Sequence, residues 1–121
     1  MRYALCTMLL PYIFELMSAL IYNVTVKVSI PTRDEWLEWM QETHIPEVMS
    51  SACFKSFRLL HLEGYDDDEG ITYAIQYTCP SLELFEIYQR EHAPDLQKKH
   101  QKKFDGKFVA FRTILTLIKE G

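Results

Sequence analysis

Two stretches of the chain share one pattern, and this repeat limits the possible folds more than any other feature. In each stretch an amphipathic run with aromatic residues ends in His-x-Pro and an acid, at His44-Ile45-Pro46-Glu47 and at His92-Ala93-Pro94-Asp95. Proline is expected to stop each helix because it has no N–H to donate to the preceding turn. Strand-like runs flank both stretches, so the sequence predicts two copies of a strand–helix–strand unit.

The strands are predicted from alternation of apolar and polar residues, which is typical of a strand with one buried face. The clearest example is residues 21–30, where Tyr22, Val24 and Val26 alternate with polar neighbours. Two helices are predicted, one beginning near Thr32 and ending at Pro46, the other beginning near Ser81 and ending at His92. A further helical piece is expected over residues 95–104. The remaining strands are predicted at residues 52–62, 71–79 and 108–118.

The order strand, helix, strand, strand, helix, strand is that of the ferredoxin-like βαββαβ fold, an α+β class. Such a chain forms a four-stranded antiparallel sheet with two helices on one face, here as a single domain over residues 21–119. The other face must be solvated or covered by a partner. Its expected composition is mixed, which suits a homodimer that closes two sheets into one α/β barrel. The residues expected on this open face are Asn23, Thr25, Lys27, Ser56, Arg58, Thr72, Gln76, Thr78, Arg112 and Thr116, with Phe54, Leu60 and Ile114 among them.

Residues 1–20 are expected to be an N-terminal extension outside the fold. Their apolar run is interrupted by Pro11 and Glu15, which fits neither a signal peptide nor a membrane span. The 121-residue chain carries a formal charge of −4, which gives no general attraction to nucleic acid or anionic membranes. We therefore expect a cytoplasmic protein with no membrane association and no nucleic-acid partner.

The three cysteines, Cys6, Cys53 and Cys79, fit neither a zinc site nor a redox pair in their spacing. Their odd number indicates a reducing compartment. Cys53 and Cys79 are expected near the ends of two paired strands, and whether they are bonded stays open.

Together the motifs resemble an uncharacterised family of short bacterial proteins, named only as a domain of unknown function (number 4286). The resemblance runs from Ile21 to about Lys119. Its members usually start with Met at the position of Leu20, which implies that residues 1–19 are an extra segment. The family resembles dimeric α/β-barrel proteins in element order, and its name implies no catalytic residue. The segments that carry the resemblance are residues 21–26, 36–40, 44–48, 72–77, 92–94 and 108–113.

His44 and His92 are the catalytic candidates, because histidine titrates near neutral pH. A structural role is favoured for each, since a histidine in the last helical turn meets the negative end of the helix dipole. In this fold the two helices end at opposite ends of the sheet, so both histidines of one chain should not form one site. The candidate ligand-binding residues are Lys27, Arg58, Gln76 and Arg112, which could hold a carboxylate or phosphate or could pair with acids.

These observations favour a homodimer that binds a small molecule or a partner without catalysis, metal or cofactor. The alternative is an enzyme of the cofactor-independent oxygenase or haem-degrading kind, with a histidine and an arginine beside a pocket. A second alternative is an RNA-binding sheet that uses Tyr73 and Tyr77. The basic run over residues 98–103 is expected to be a solvated face.

Overall fold

Four strands form one antiparallel sheet in the computed structural model, which describes residues 19–121. The strand order is β2-β3-β1-β4, so β1 and β3 are central and the other two strands lie at the edges. The α+β ferredoxin-like prediction is confirmed. Residues 1–18 lie outside the described part, and β1 already begins at Leu20, one residue before the predicted domain boundary. The strands are β1 Leu20–Val28, β2 Ser56–His61, β3 Ile71–Cys79 and β4 Phe108–Thr116.

Four α-helical segments and one π-helix connect the strands. After a short 3-10 turn at Ile30–Thr32, the first connection is α1 Arg33–Trp39, a π-helix at Met40–His44 and α2 Ile45–Ser50. The second connection is α3 Leu82–Glu91 followed by α4 Ala93–Lys103. The side chain of Ser81 accepts a hydrogen bond from the N–H of Leu84 and so caps α3, as predicted. Within residues 19–121, every helix is too short or too polar to cross a bilayer.

The prediction that Pro46 stops the first helix is wrong. Pro46 cannot donate to the carbonyl of Glu42, and the chain accommodates this by widening into a π turn. In that turn the N–H of Ile45 donates to the carbonyl of Met40, five residues earlier. His44 therefore lies inside a continuous helical run, and the helix-end role proposed for it does not apply.

The second His-x-Pro motif does mark a helix end. His92 lies between α3 and α4 with φ −120° and ψ −42°, outside the helical region. Its N–H still donates to the carbonyl of Tyr88, which closes the last turn of α3. The same sequence pattern thus gives a break in one connection and a π turn in the other.

One face of the sheet packs against the helices and forms the core. In antiparallel pairs, residues directly opposite each other point to the same side. Tyr22 of β1 lies opposite Tyr77 of β3, and both are buried in the core. The rings of Tyr22 and Phe85 lie 5.2 Å apart. The buried residues of β1 and β3 on this side are Leu20, Tyr22, Val26, Val28, Tyr73, Ile75, Tyr77 and Cys79.

The register of β4 corrects the predicted open face. Arg112 lies opposite Val24, which in turn lies opposite the buried Ile75, so Arg112 is on the helix-covered face. Ile114 and Thr116 are on that face too, by the same alternation. Phe54 precedes β2 and is buried in the core. The open face of β4 consists of Val109, Phe111, Thr113 and Leu115.

Cys53 and Cys79 are close together, free and buried. The thiol of Cys79 donates to the carbonyl of Cys53 at 3.2 Å and lies equally close to that of Ser81. Burial raises the pKa of the Cys79 thiol, which disfavours the reactive thiolate.

Candidate ligand pocket between the sheet and the helices

A small cavity lies between the helix-covered face of the sheet and the helices. Its volume is about 20 Å³, which is room for one water molecule and far below the size of an ordinary ligand site. Its walls are mostly apolar residues of β1, β3 and the first helical connection. The polar side chains that line it include Tyr22 of β1, His44 of the π-helix, Gln97 and His100 of α4, and Arg112 of β4.

His100 is the most informative of these residues, although it belongs to the basic run over residues 98–103 that was predicted to be a solvated face. It lies on α4 and is only 3% exposed. The indole N–H of Trp36 donates to its Nε2 atom at 3.0 Å. Because indole nitrogen can only donate, Nε2 must be unprotonated, and a neutral ring carries its proton on Nδ1. The ring stacks on Phe108, with centroids 3.9 Å apart and planes 1° from parallel.

His44 lies on the π-helix and faces His100, with ring centroids 5.3 Å apart. It is half-buried and stacks on Trp39 at 4.8 Å. The π turn matters here because an inserted residue shifts the face to which the following side chains point. Of the two histidines proposed from the sequence, His44 and His92, the structure places only His44 at this cavity.

Both cavity histidines are neutral at pH 7. Burial lowers the pKa of His44 to about 4, with Arg112 and Lys99 adding to the shift and Glu47 opposing it. Burial lowers the pKa of His100 to about 3, and the nearby His44 and Arg112 lower it further. Groups with such low pKa values bind protons weakly near neutrality, so they are poorly matched to general-base catalysis there.

Arg112 lies at the mouth of the cavity on edge strand β4. Among residues 19–121 it forms no salt bridge with an Asp or Glu side chain. Burial raises the pKa of the Tyr22 hydroxyl, while Arg112 and Gln97 beside it act in the opposite direction. The mouth therefore combines one guanidinium, one phenol and one amide.

Outside the mouth, an open groove of about 500 Å³ runs between α4 and β4. Gln97, His100 and Arg112 line both the groove and the cavity, so these three residues separate one from the other. Phe108 and Ala110 supply an apolar surface in the groove, and Val109 of the open face lines it as well. No Asp or Glu from the described residues lines it.

His92, the other motif histidine, lies in a different place. It stacks on Tyr88 at 6.2 Å and lines a shallow depression with Glu47, Glu91 and Asp95. His44 and His92 share no pocket among those of the described residues.

The predicted cationic set is divided between the two faces of the sheet. Arg58 and Gln76 lie on the open face, where Arg58 Nη2 donates to Gln76 Oε1 at 2.7 Å. Lys27 also lies there and forms a 2.7 Å salt bridge with Asp67 in the hairpin loop. Only Arg112 reaches the helix-covered pocket, so a pocket shared by all four residues is excluded.

The RNA-binding hypothesis for Tyr73 and Tyr77 is wrong. Both side chains are buried beneath the helices and cannot stack on bases. The lysines at 98, 99, 102 and 103 are exposed, as expected for a solvated face, and Lys99 pairs with Glu47 at 2.8 Å. Within residues 19–121, no three His, Cys, Asp or Glu side chains are grouped in a way that could hold a metal ion.

Solved structures with the same fold come from proteins of low sequence identity. A dimeric ferredoxin-like protein from an uncultured marine organism superposes with a TM-score of 0.60 at 10% identity, over 86% of this chain and 99% of the other. SnoaB, a cofactor-independent oxygenase from Streptomyces nogalater, gives 0.59 at 13% identity, over 84% and 95%. MhuD, solved with two manganese protoporphyrin IX molecules per active site, gives 0.62 at 16% identity, over 84% and 97%.

In sequence, the family model described as "Domain of unknown function (DUF4286)" matches residues 19–118. A search of curated proteins found no match. At these identities the structural likeness establishes the fold and nothing about activity.

Proposed function

The chain belongs to the DUF4286 family, whose description names no activity, and on that premise we propose that it is a homodimeric binding protein. In this proposal the open face of the sheet is the dimer interface. The pocket between β4 and α4 binds a small molecule, and no reaction is catalysed there. The protein acts in the cytoplasm, as its charge and cysteine content suggest.

The composition of the open face carries the dimer part of the proposal. Phe111 is 63% exposed, and Val109, Leu115 and Leu60 on the same face are exposed as well. A strand that presents several large apolar side chains to water on one face is typical of an interaction surface. A second copy is the expected occupant because a twofold axis lets one such face cover another. The relative described as dimeric has the same fold and supports this choice.

The state of the two histidines supports binding over catalysis. His44 and His100 have pKa values near 4 and 3, so neither accepts a proton readily at pH 7. The cavity beside them has room for only one water molecule, and the wider groove lies outside it. A ligand would therefore contact the groove and its polar mouth first.

Two substitutions on β4 test the dimer interface with a matched control. Phe111→Lys places a charge on the open face, whereas Ile114→Lys places one on the helix-covered side of the same strand, where Ile114 is 52% exposed. We expect Phe111→Lys to weaken dimerisation at least 100-fold, because each interface receives two desolvated charges. Ile114→Lys should leave the dimer unchanged. Sedimentation equilibrium at micromolar concentration measures both, and a monomeric wild type or equal effects of the two changes would refute the proposal.

An enzyme of the cofactor-independent oxygenase kind is the second candidate. It is supported by the groove of about 500 Å³ that reaches a buried histidine and an arginine, an arrangement compatible with an aromatic substrate. Oxygen uptake with 1,4-naphthohydroquinone tests it against the rate of autoxidation. Uptake that is lost in both His44→Phe and His100→Gln would establish catalysis. Uptake equal to the autoxidation rate would leave the binding function.

A further inference from the structure

We propose that the groove between α4 and β4 binds a small organic carboxylate with an apolar body, and that Arg112 holds its carboxylate group. This inference rests on the binding function proposed above and specifies the chemical class of the ligand. The occupant is a free small molecule, since the groove is about 500 Å³ in volume.

The charges around the groove favour an anion. Arg112 and Lys98 are its two cationic residues, and none of its described lining residues is acidic. Gln97 and Gln101 add amide groups that can donate hydrogen bonds. The neighbouring depression around His92 has the opposite character, because Glu47, Glu91 and Asp95 line it. The contrast makes the groove the anion-selective one of the two.

Arg112 is suited to a carboxylate in particular. Its planar guanidinium presents donors in a fork that matches two carboxylate oxygens. Within residues 19–121 no carboxylate already occupies this fork as a salt-bridge partner, whereas Lys27, Arg33, Arg90 and Lys99 all have acidic partners. The Tyr22 hydroxyl and the Gln97 amide lie beside Arg112, so they can contribute further hydrogen bonds to a bound oxygen.

The apolar part of the ligand has a surface to lie on. Phe108 and Ala110 point to the same side of β4 as Arg112, because residues two apart in a strand share a face. Pro94 closes the groove from α4. Phe108 is held by its stacking on His100, whose position is fixed in turn by Trp36. A carboxylate at Arg112 would therefore direct its attached ring or chain along a firmly supported apolar surface.

A bound anion should also be sensed by the two histidines. The positive charge of Arg112 helps to lower the pKa of both His44 and His100. A carboxylate on Arg112 neutralises that charge and so makes protonation of the rings easier. This change in pKa is a signature of binding next to Arg112 that a ligand elsewhere on the surface would not produce.

The test is a set of NMR titrations of the full chain with benzoate, its neutral isostere benzamide, and inorganic phosphate. Arg112→Gln removes the charge, and Arg112→Lys keeps it without the fork. Arg90→Gln is the matched control, because Arg90 is an exposed arginine on α3 that pairs with Glu91. The His44 ring resonances are followed from pH 7 to pH 5, where benzoate stays largely ionised, and they report how far His44 is protonated with and without benzoate.

We expect benzoate to bind at least tenfold more tightly than benzamide and phosphate and to raise the His44 pKa. Arg112→Gln should lower the affinity for benzoate at least tenfold, Arg112→Lys should lower it less, and Arg90→Gln should not change it. Equal affinity for benzoate and benzamide, or unchanged benzoate binding in Arg112→Gln, would overturn the carboxylate assignment while leaving a ligand pocket. If no probe shifts residues of the groove, the pocket function itself fails, and the dimer is judged separately by sedimentation.

Discussion

Phe111 and Arg112 are neighbours in the chain, yet they lie on opposite faces of the sheet and in contrasting surroundings. Phe111 belongs to the open face, where large apolar side chains are exposed and polar residues pair with each other. Arg112 belongs to the helix-covered face, where the buried His100, the half-buried His44 and a cluster of aromatic rings surround a small cavity. One edge strand therefore contributes to two different surfaces.

Burial, more than residue type, determines the protonation state of the histidine side chains in this domain. His44 and His100 are uncharged because the helices and the sheet exclude water from them. His61 at the end of β2 is exposed and lies within 3.1 Å of the carboxylates of Glu63 and Asp66, which raise its pKa. The pKa is thus lowered for His44 and His100 and raised for His61, within one small domain.

The largest expected effect is a loss of stability in acid that comes from the helix-covered face. Below pH 6.5 an unfolded chain binds protons at His44 and His100, whereas the folded chain resists until pH values near 4 and 3. The unfolded state is therefore favoured as pH falls through this window, by about 2 kcal/mol for each histidine at pH 5. Urea unfolding at pH 7 and pH 5 measures the loss.

Variants separate this effect from the titration of other groups. The double variant His44→Phe, His100→Gln should lose much less free energy of unfolding between pH 7 and pH 5 than the wild-type protein. His61→Gln should make it steeper, because the raised pKa of His61 gives stability that is present below pH 6.5 and lost as pH rises. A wild-type protein equally stable at pH 7 and pH 5 would contradict the neutral, buried state of the two histidines.

A smaller effect is expected from truncating the core under the helices. Ile75 is 0% exposed in the centre of β3. Ile75→Ala should lower the free energy of unfolding by about 3 kcal/mol, through lost burial and the cavity left behind. Ile21→Ala, on the open face of the neighbouring strand β1, is the control. With both changes made in the monomeric Phe111→Lys variant, where no second copy covers this face, it should cost about 1 kcal/mol. Urea unfolding of both at pH 7 compares the faces, and equal losses would show that the open face is packed as tightly as the core.

The smallest of the three effects concerns the hydrogen bond between Trp36 and His100. Trp36→Phe removes the only donor that the described residues offer to His100 Nε2 and should cost about 2 kcal/mol. Trp39→Phe is the matched control, because Trp39 makes no side-chain hydrogen bond within residues 19–121 and should cost about half as much. Thermal unfolding at pH 7 ranks the two. The reverse order would mean that the bond adds little to the fold.

The fold class could be predicted because β1 and β3 alternate cleanly between a buried and a polar face. The face of β4 could not, since apolar residues occupy consecutive positions from Phe108 to Phe111 and no period of two remains. Arg112 was therefore assigned to the wrong side. Only the pairing register with β1 determines it.

The pocket was harder to predict for two physical reasons. The rule that proline ends a helix assumes α geometry, and the π turn before Pro46 escapes it, which moves His44 into the interior of a helical run. His100 was hidden in a basic run. It follows Ala93 and Leu96 and precedes Phe104 at helical spacing, and this buried stripe was the signal that could have found it.

If the dimer interface and the ligand groove are separate surfaces, the Phe111→Lys variant should keep its affinity for benzoate although it is a monomer. Phe111 and Arg112 are adjacent in the chain, so if they belonged to one site, Phe111→Lys would weaken both dimerisation and benzoate binding. We predict that the monomeric variant binds benzoate with a dissociation constant within about twofold of the wild-type value. Such a change is small, because a tenfold change in affinity corresponds to about 1.4 kcal/mol. A loss of benzoate binding on conversion to the monomer would contradict the separation of the two surfaces, because the pocket would then require the dimer.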